Sequence, residues 1–291
     1  MATAATEAAD ADVIVGFNPE ICSPKLIDNA KQLRWIESLA AGVENCMAVP
    51  GVRGRNLLVT NMRGVDSAAI AEHAVALAMA LAHGLDAYAV DTSKGVWSRE
   101  HGATIPVQVL EGKTLLVVGL GGIGTEVAKR GYGLGMKVVA TRDNDRNKPD
   151  FVSYVGLPDE MLALAKTADV IVNCAPLTPQ TTGIYNDKFF AVLKPSAYFI
   201  NVARGASAVT SDLVRALNEH RLAGVGLDVV DPEPLPPDNP LWRAPHVIIT
   251  PHISSRSDLP GEARWTLAVE NLRRYANGEK MLSVVDLTKG Y

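Results

Sequence analysis

Thr114-Leu-Leu-Val-Val118, then Gly119-Leu-Gly121-Gly-Ile-Gly124, is the stretch whose reading decides the fold. The first five residues are apolar and rich in β-branched side chains, which favours a strand. The glycines follow with no spacer. Thr125-Glu-Val-Ala-Lys-Arg-Gly-Tyr-Gly-Leu134 then reads as a helix, and Met136-Lys-Val-Val-Ala-Thr141 as a second strand. A bare GxGxxG says little. Strand, glycine turn, helix and closing strand within a unit of about 30 residues is the context that a dinucleotide fingerprint needs. Gly119 permits the tight turn, Gly121 lets the backbone approach a pyrophosphate, and Gly124 lets helix and strand pack closely. A helix starting at this turn, with Gly122 and Ile123 in it, turns free N–H groups and a positive dipole end toward an anion.

Further apolar runs lie on both sides. Upstream, Ala11–Gly16, Arg34–Ser38 and Leu57–Thr60 read as strands, and Ser23–Ala30 as a short helix. Ser67–Ala82 is a long Ala/Leu-rich helix ending at Gly84, and the chain from there to Trp97 reads as an extension leaving the globule. Downstream, Asp169–Asn173, Ala197–Ile200, Val225–Leu227 and Val247–Thr250 read as strands with helices between them. Repeated βα alternation predicts an α/β chain with doubly wound parallel sheets. Pro232–Pro237 reads as a stiff extended loop.

Four chemically capable residues fall at or just past the ends of the downstream strands. They are Arg204 in Asn201-Val-Ala-Arg-Gly205, Asp228 after Gly226-Leu, Glu233 in Asp231-Pro-Glu-Pro234, and His252 after Thr250-Pro. In an open parallel sheet, ligands bind outside the carboxyl ends of the strands. A guanidinium, two carboxylates and an imidazole are therefore expected around one crevice. That set can hold a substrate carboxylate and move a proton, but it contains no nucleophile and no metal cage. The remaining reagent is expected to be the bound cofactor.

Composition narrows the class. The chain has 291 residues, 47% hydrophobic and 21% charged, which is ample for one large or two medium domains. Its net charge is −4 and it has no basic tract, so nucleic acid is not an expected partner. No apolar run approaches the ~20 residues of a membrane span. The first ten residues lack a basic n-region and an apolar h-region. Cys22, Cys46 and Cys174 are odd in number and far apart, which predicts a reducing cytoplasm and no disulfide frame. Glu72-His73 resembles half a zinc motif, but His83 lies ten residues on, not four. It reads as a helix-start or interface feature.

Taken together, Leu39-Ala-Ala-Gly-Val43, Ile70-Ala-Glu-His-Ala74, Gly119–Gly124, Ala175-Pro-Leu-Thr-Pro179, Asn201–Gly205, Leu227-Asp-Val229, Glu233-Pro and Thr250-Pro-His252 resemble the D-isomer-specific 2-hydroxyacid dehydrogenases. The glyoxylate/hydroxypyruvate reductase-like members are the nearest in pattern. The resemblance implies two doubly wound domains, with a Rossmann cofactor domain at 67–257 inserted in a smaller flavodoxin-like substrate domain at 1–66 and 258–291. It implies a homodimer, with Trp97 as an anchor on the arm. It implies reduction of a small 2-keto acid, with His252 as proton donor, Glu233 fixing its tautomer, and Arg204 on the substrate carboxylate or carbonyl. Ala41, Gly42 and Val43 would take the far carboxylate oxygen. The nicotinamide cofactor would also meet Thr141, then Cys174, Ala175, Pro176 and Thr181, then Val202, Ala203 and Asp228.

Two departures from the family pattern stand out. Only ten residues precede the first strand, where two further βα units are usual, so a trimmed chain or an abbreviated substrate domain is expected. And Arg142 occupies the place that is usually acidic in NAD-preferring members. A guanidinium there suits a 2′-phosphate, so NADP(H) is favoured over NAD(H), with Asn144 and Arg146 as helpers and Asp143 as a competing acceptor for the ribose. Two other readings use the same scaffold: a formate or phosphite dehydrogenase, and a dinucleotide-sensing corepressor.

Overall fold

The computed structural model describes residues 8–17, 20–97, 99, 107–143, 145–258 and 261–291. The chain forms two compact units, residues 1–66 with 257–291, and residues 67–256.

The first unit has a parallel sheet in the order β1-β2-β3, with β1 Val13–Gly16, β2 Trp35–Ser38 and β3 Leu58–Thr60. The middle strand is buried along its whole length, as expected of a strand covered on both faces. Helix α1, Pro24–Asn29, begins on Ser23, whose hydroxyl accepts the Leu26 N–H. Its Ile27 joins Ile36, Val52 and Val59 in one buried apolar cluster. Short helices α2 (Glu44–Met47) and α3 (Pro50–Gly54) follow β2. Among the described residues the edge strand β1 has a single neighbour, and Val15 on it is 42% exposed.

The expectation of three reduced cysteines is overturned here. Cys22, in the turn after β1, and Cys46, in α2, form a disulfide with their Cα atoms 4.8 Å apart. Twenty-four residues separate them, so spacing alone could not reveal the pair; the β1–β2 pairing brings the two loops together. Cys174 is the free thiol.

The second unit begins with α4, Ser67–Ala82, and α5, Leu85–Ser93. The segment expected to be a mere extension is thus a helix, and none of its residues is buried. No single helix among the described residues is long and apolar enough to cross a membrane. Strands β4 Thr114–Val118, β5 Lys137–Thr141, β6 Tyr154–Gly156, β7 Val170–Asn173, β8 Tyr198–Asn201, β9 Gly224–Leu227 and β10 Val247–Ile249 form one parallel sheet. Its order is β10-β9-β8-β7-β4-β5-β6. Strand β6 was not legible in the sequence, because three residues carry too little periodicity to call a strand.

Register aligns the carboxyl ends of the strands. Thr141, Val118, Asn173, Asn201, Leu227 and Ile249 are successive partners across β5, β4, β7, β8, β9 and β10. The next residue on each strand therefore starts a common rim: Arg142, Gly119, Cys174, Val202, Asp228 and Thr250. The chain reverses its direction of winding between β4 and β7, and the crevice at such a switch point is where α/β sheets bind ligands.

Candidate active site

The glycine turn sits at that switch point. Gly119 has φ +93°, and a Cβ there would stand 2.8 Å from the backbone of Ala175 in the loop after β7. Its N–H and that of Leu120 bond the Thr141 carbonyl. Helix α6, Gly122–Gly133, follows at once, and a Cβ on Gly124 would meet the Gly119 carbonyl oxygen at 2.1 Å. Gly121 differs: a Cβ there would enter open space. The turn thus has two glycines required by packing and a third that keeps a cradle clear beside an unblocked helix N-terminus. These residues fit a dinucleotide pyrophosphate.

Around the turn, the predicted cofactor residues divide by what they touch. Thr141 is buried, and its hydroxyl accepts the Gly119 N–H at 3.3 Å, so it supports the turn from below. The Cys174 N–H bonds Val118 O, and burial pushes the Cys174 thiol well above its usual range. Thr181 closes its own loop by donating to Pro176 O at 2.7 Å. Arg142 is partly exposed; its Nη1 donates to Asn147 O at 3.0 Å and pairs with Asp145 at 3.1 Å. Arg146, expected to reinforce it, instead joins Tyr154, Glu160 and the Val155 carbonyl beside β6. Asn144 lies outside the described residues.

Arg204 is held by a buried polar network that sequence reasoning missed. Asn173 Nδ2 donates to Asn201 Oδ1 at 3.0 Å and to Ser207 Oγ at 2.9 Å, and Tyr185 Oη donates to Asn173 Oδ1 at 3.0 Å. Asn201 Nδ2 and Ser207 Oγ then both donate to the Arg204 carbonyl. Asn173, Asn201 and Tyr185 are fully buried, so each of these bonds replaces water that has been lost. The visible signal was an Asn ending each of two adjacent strand runs. The Arg204 guanidinium donates back to Ala203 O at 2.7 Å. Gly205 is forced: a Cβ would stand 2.0 Å from the Val230 carbonyl, so the loop carrying Glu233 lies directly on the Arg204 loop.

His252 follows β10 with φ +53°, a left-handed conformation uncommon for a residue with a Cβ. Its Nδ1 lies 2.8 Å from Glu233 Oε2, and Glu233 Oε1 accepts the Val230 N–H. The other ring nitrogen is Nε2, and the side chain is 47% exposed.

Asp228 was expected at the nicotinamide carboxamide. It is buried, and its two oxygens accept Thr250 Oγ1, Ile253 N and Ser254 N. Burial alone would raise its carboxyl, but hydrogen bonds from the side chains of Ser254 and Thr250 and from the backbone of residues 253 and 254 outweigh it and hold the carboxyl below its usual range. The Glu72-His73 pair is neither a helix start nor one feature. Both lie in the second turn of α4; Glu72 pairs with Arg130, and the His73 ring turns inward to Thr250.

In the first unit, the loop after β2 is tied down by its own contacts. Asn61 Nδ2 donates to Ala41 O at 2.6 Å, and Ser38 Oγ bonds Ala40. Gly42 is half-buried and Val43 buried.

Comparison with known proteins agrees with this fold. Residues 75–254 match the family model described as the NAD binding domain of D-isomer specific 2-hydroxyacid dehydrogenases. The chain is 32% identical to a glyoxylate reductase of Thermococcus litoralis over 277 residues, 93% of this chain and 82% of that one. It is also 32% identical to a hydroxypyruvate reductase of Blautia hydrogenotrophica, over 92% of this chain and 83% of that one. Among solved structures it resembles the NADPH-dependent glyoxylate/hydroxypyruvate reductase of Sinorhizobium meliloti in complex with NADP and sulfate. That similarity has a TM-score of 0.83 at 26% identity and covers 96% of this chain and 86% of that one.

Proposed function

The chain belongs to the D-isomer specific 2-hydroxyacid dehydrogenase family, and we propose that it reduces a small 2-keto acid of the glyoxylate or hydroxypyruvate type. The observation that carries this reading is the Glu233–His252 pair on the same strand-end rim as Arg204 and the glycine turn. When bound, the nicotinamide supplies or takes the hydride. The chain's own residues do the rest. The Glu233 carboxylate accepts Nδ1–H, so His252 presents Nε2, from which a proton passes to the carbonyl oxygen. The Arg204 fork binds the substrate's carboxylate, or the carboxylate and carbonyl oxygens together. The second carboxylate oxygen is assigned to N–H groups at Gly42 and Val43 on sequence resemblance alone. The Asp228 carboxylate ties down the loop of His252.

The intact Glu233–His252 pair also disfavours the formate dehydrogenase reading, because formate oxidation has no alcohol oxygen to protonate. NADP(H) is the favoured cofactor, on Arg142. A homodimer is proposed on the segment from about Leu85 to Trp97, which carries the half-buried Tyr88 and the exposed Val90, Val96 and Trp97, the last 91% exposed. A monomer mass by light scattering at micromolar concentration would refute that assembly.

The direct test is turnover of glyoxylate and hydroxypyruvate with NADPH and NADH. Oxidation of the nicotinamide by either acid supports the reading, and none with both acids at millimolar concentration sinks it.

A further inference from the structure

Helix α4 crosses β9 in step with it. A Cβ on Gly224 would lie 3.2 Å from Leu81 Cδ2, and one on Gly226 2.8 Å from Leu77 Cβ. Four helical residues advance ~6 Å and two strand residues ~6.6 Å. The next pair in the series is therefore His73 beside Asp228. Two glycines on the strand let the helix approach closely enough for the histidine ring to reach the rim. There His73 Nε2 stands 2.8 Å from Thr250 Oγ1 and 3.6 Å from Asp228 Oδ1. Thr250 Oγ1 in turn donates to Asp228 Oδ1 at 2.6 Å.

The proton bookkeeping has one consistent solution. Asp228 also accepts the Ile253 and Ser254 N–H groups, so it acts as a carboxylate with nothing to donate. The single hydroxyl proton of Thr250 goes to it. The oxygen that faces His73 is then an acceptor, and Nε2 must carry the ring proton. In the opposite tautomer, the Nε2 lone pair would compete with Asp228 for the Thr250 proton.

This series of hydrogen bonds ends at His252. Its N–H bonds the Asp228 carbonyl at 2.8 Å, and the next two N–H groups bond the Asp228 carboxylate. A left-handed residue persists only where its surroundings over-determine it. We propose that His73 is a positioning residue: as an Nε2–H donor it directs the Thr250 hydroxyl onto Asp228, and through Asp228 it fixes the backbone that presents His252. The proposal rests on the reading of His252 as proton donor.

Two variants and two readouts test it on the full chain. His73→Leu keeps apolar volume but removes the donor. It should lower kcat for glyoxylate on the order of 10-fold or more by displacing His252, with the KM for the nicotinamide unchanged. His73→Gln places an amide N–H near the position of Nε2–H and should restore most of the loss. A leucine variant equal to the parent, or a glutamine variant as impaired as the leucine one, overturns the proposal. Nitrogen NMR of the histidine rings gives a readout without turnover. The parent should show His73 as the Nε2–H tautomer, and the His252 ring resonances should move in His73→Leu and return in His73→Gln. An Nδ1–H tautomer, or unmoved His252 resonances, also overturns it. If the parent reduces neither keto acid, the functional reading fails, while the NMR arms still decide whether the chain from His73 to His252 exists.

Discussion

His252 Nδ1 and Glu233 Oε2 stand 2.8 Å apart although 19 residues separate them in the chain. The contact is built from both sides. β10 and the Asp228 carboxylate place His252, while the Val230 N–H and the close approach permitted by Gly205 place Glu233. With Nδ1 committed, the geometry leaves one nitrogen for proton transfer.

His252→Gln removes that nitrogen and should cut turnover on the order of 10²–10⁴-fold while sparing cofactor binding. Steady-state kinetics beside nicotinamide titration checks it, and turnover within a few fold of the parent would end the assignment. Glu233→Gln keeps a hydrogen-bonding group but loses the carboxylate, and should lose less than His252→Gln.

Arg204→Lys keeps the charge and loses the planar fork. We expect kcat/KM to fall at least ~10²-fold, and Arg204→Ala to fall further. Since the Arg204 carbonyl is held by Asn201 and Ser207, the lysine variant keeps its loop and reports on the side chain alone. Equal activity in Arg204→Lys would mean that the residue acts only as a diffuse charge.

Arg142 pairs with Asp145 and the Asn147 carbonyl at the rim of β5. If it binds a 2′-phosphate, the parent prefers NADPH, and Arg142→Asp shifts the ratio of kcat/KM values toward NADH. Arg146 contributes little, being engaged with Glu160. A parent that prefers NADH, or a ratio untouched by the substitution, would show that Arg142 does not read the phosphate.

Glu37 is fully buried on β2, with Oε1 lacking a hydrogen-bond partner among the described residues. Burial raises its carboxyl above the usual range, only partly offset by hydrogen bonds from Asn271 and Thr60. The fold therefore favours the protonated acid. Its contribution to stability is complete at acid pH, below the unfolded value, and is lost as pH rises through the raised folded value. Glu37→Gln should match the parent at acid pH and be the more stable of the two at alkaline pH. Urea unfolding across a pH series measures this; a variant less stable than the parent at alkaline pH refutes it.

The glycine turn was legible because its requirement is local. Gly119 needs φ +93°, and Gly124 answers to the Gly119 carbonyl five residues before it; only the approach of Ala175 to Gly119 is long-range. Arg204, Asp228 and His252 were legible as strand-end residues because a parallel sheet gathers its carboxyl ends on one rim, whatever the order of its strands. Asp228 shows the limit: its position was readable, but its partners were not.

Those partners depend on which elements become neighbours, and only the tertiary structure decided that. Asn173 meets Asn201 because β7 pairs with β8 in one register, and a slip of one residue would put the two on opposite faces of the sheet. His73 meets Thr250 across 177 residues because α4 packs on β9 over Gly224 and Gly226. Cys22 meets Cys46, and Glu37 meets Asn271, through the packing of the first unit. Sequence alone determined the turns, the periodicities and the chemistry available at each strand end, because short-range sterics and burial patterns dictate them. The hydrogen-bond partners of buried polar groups were settled by folding, because each such group must find its partner among atoms brought near by packing, however distant they are along the chain.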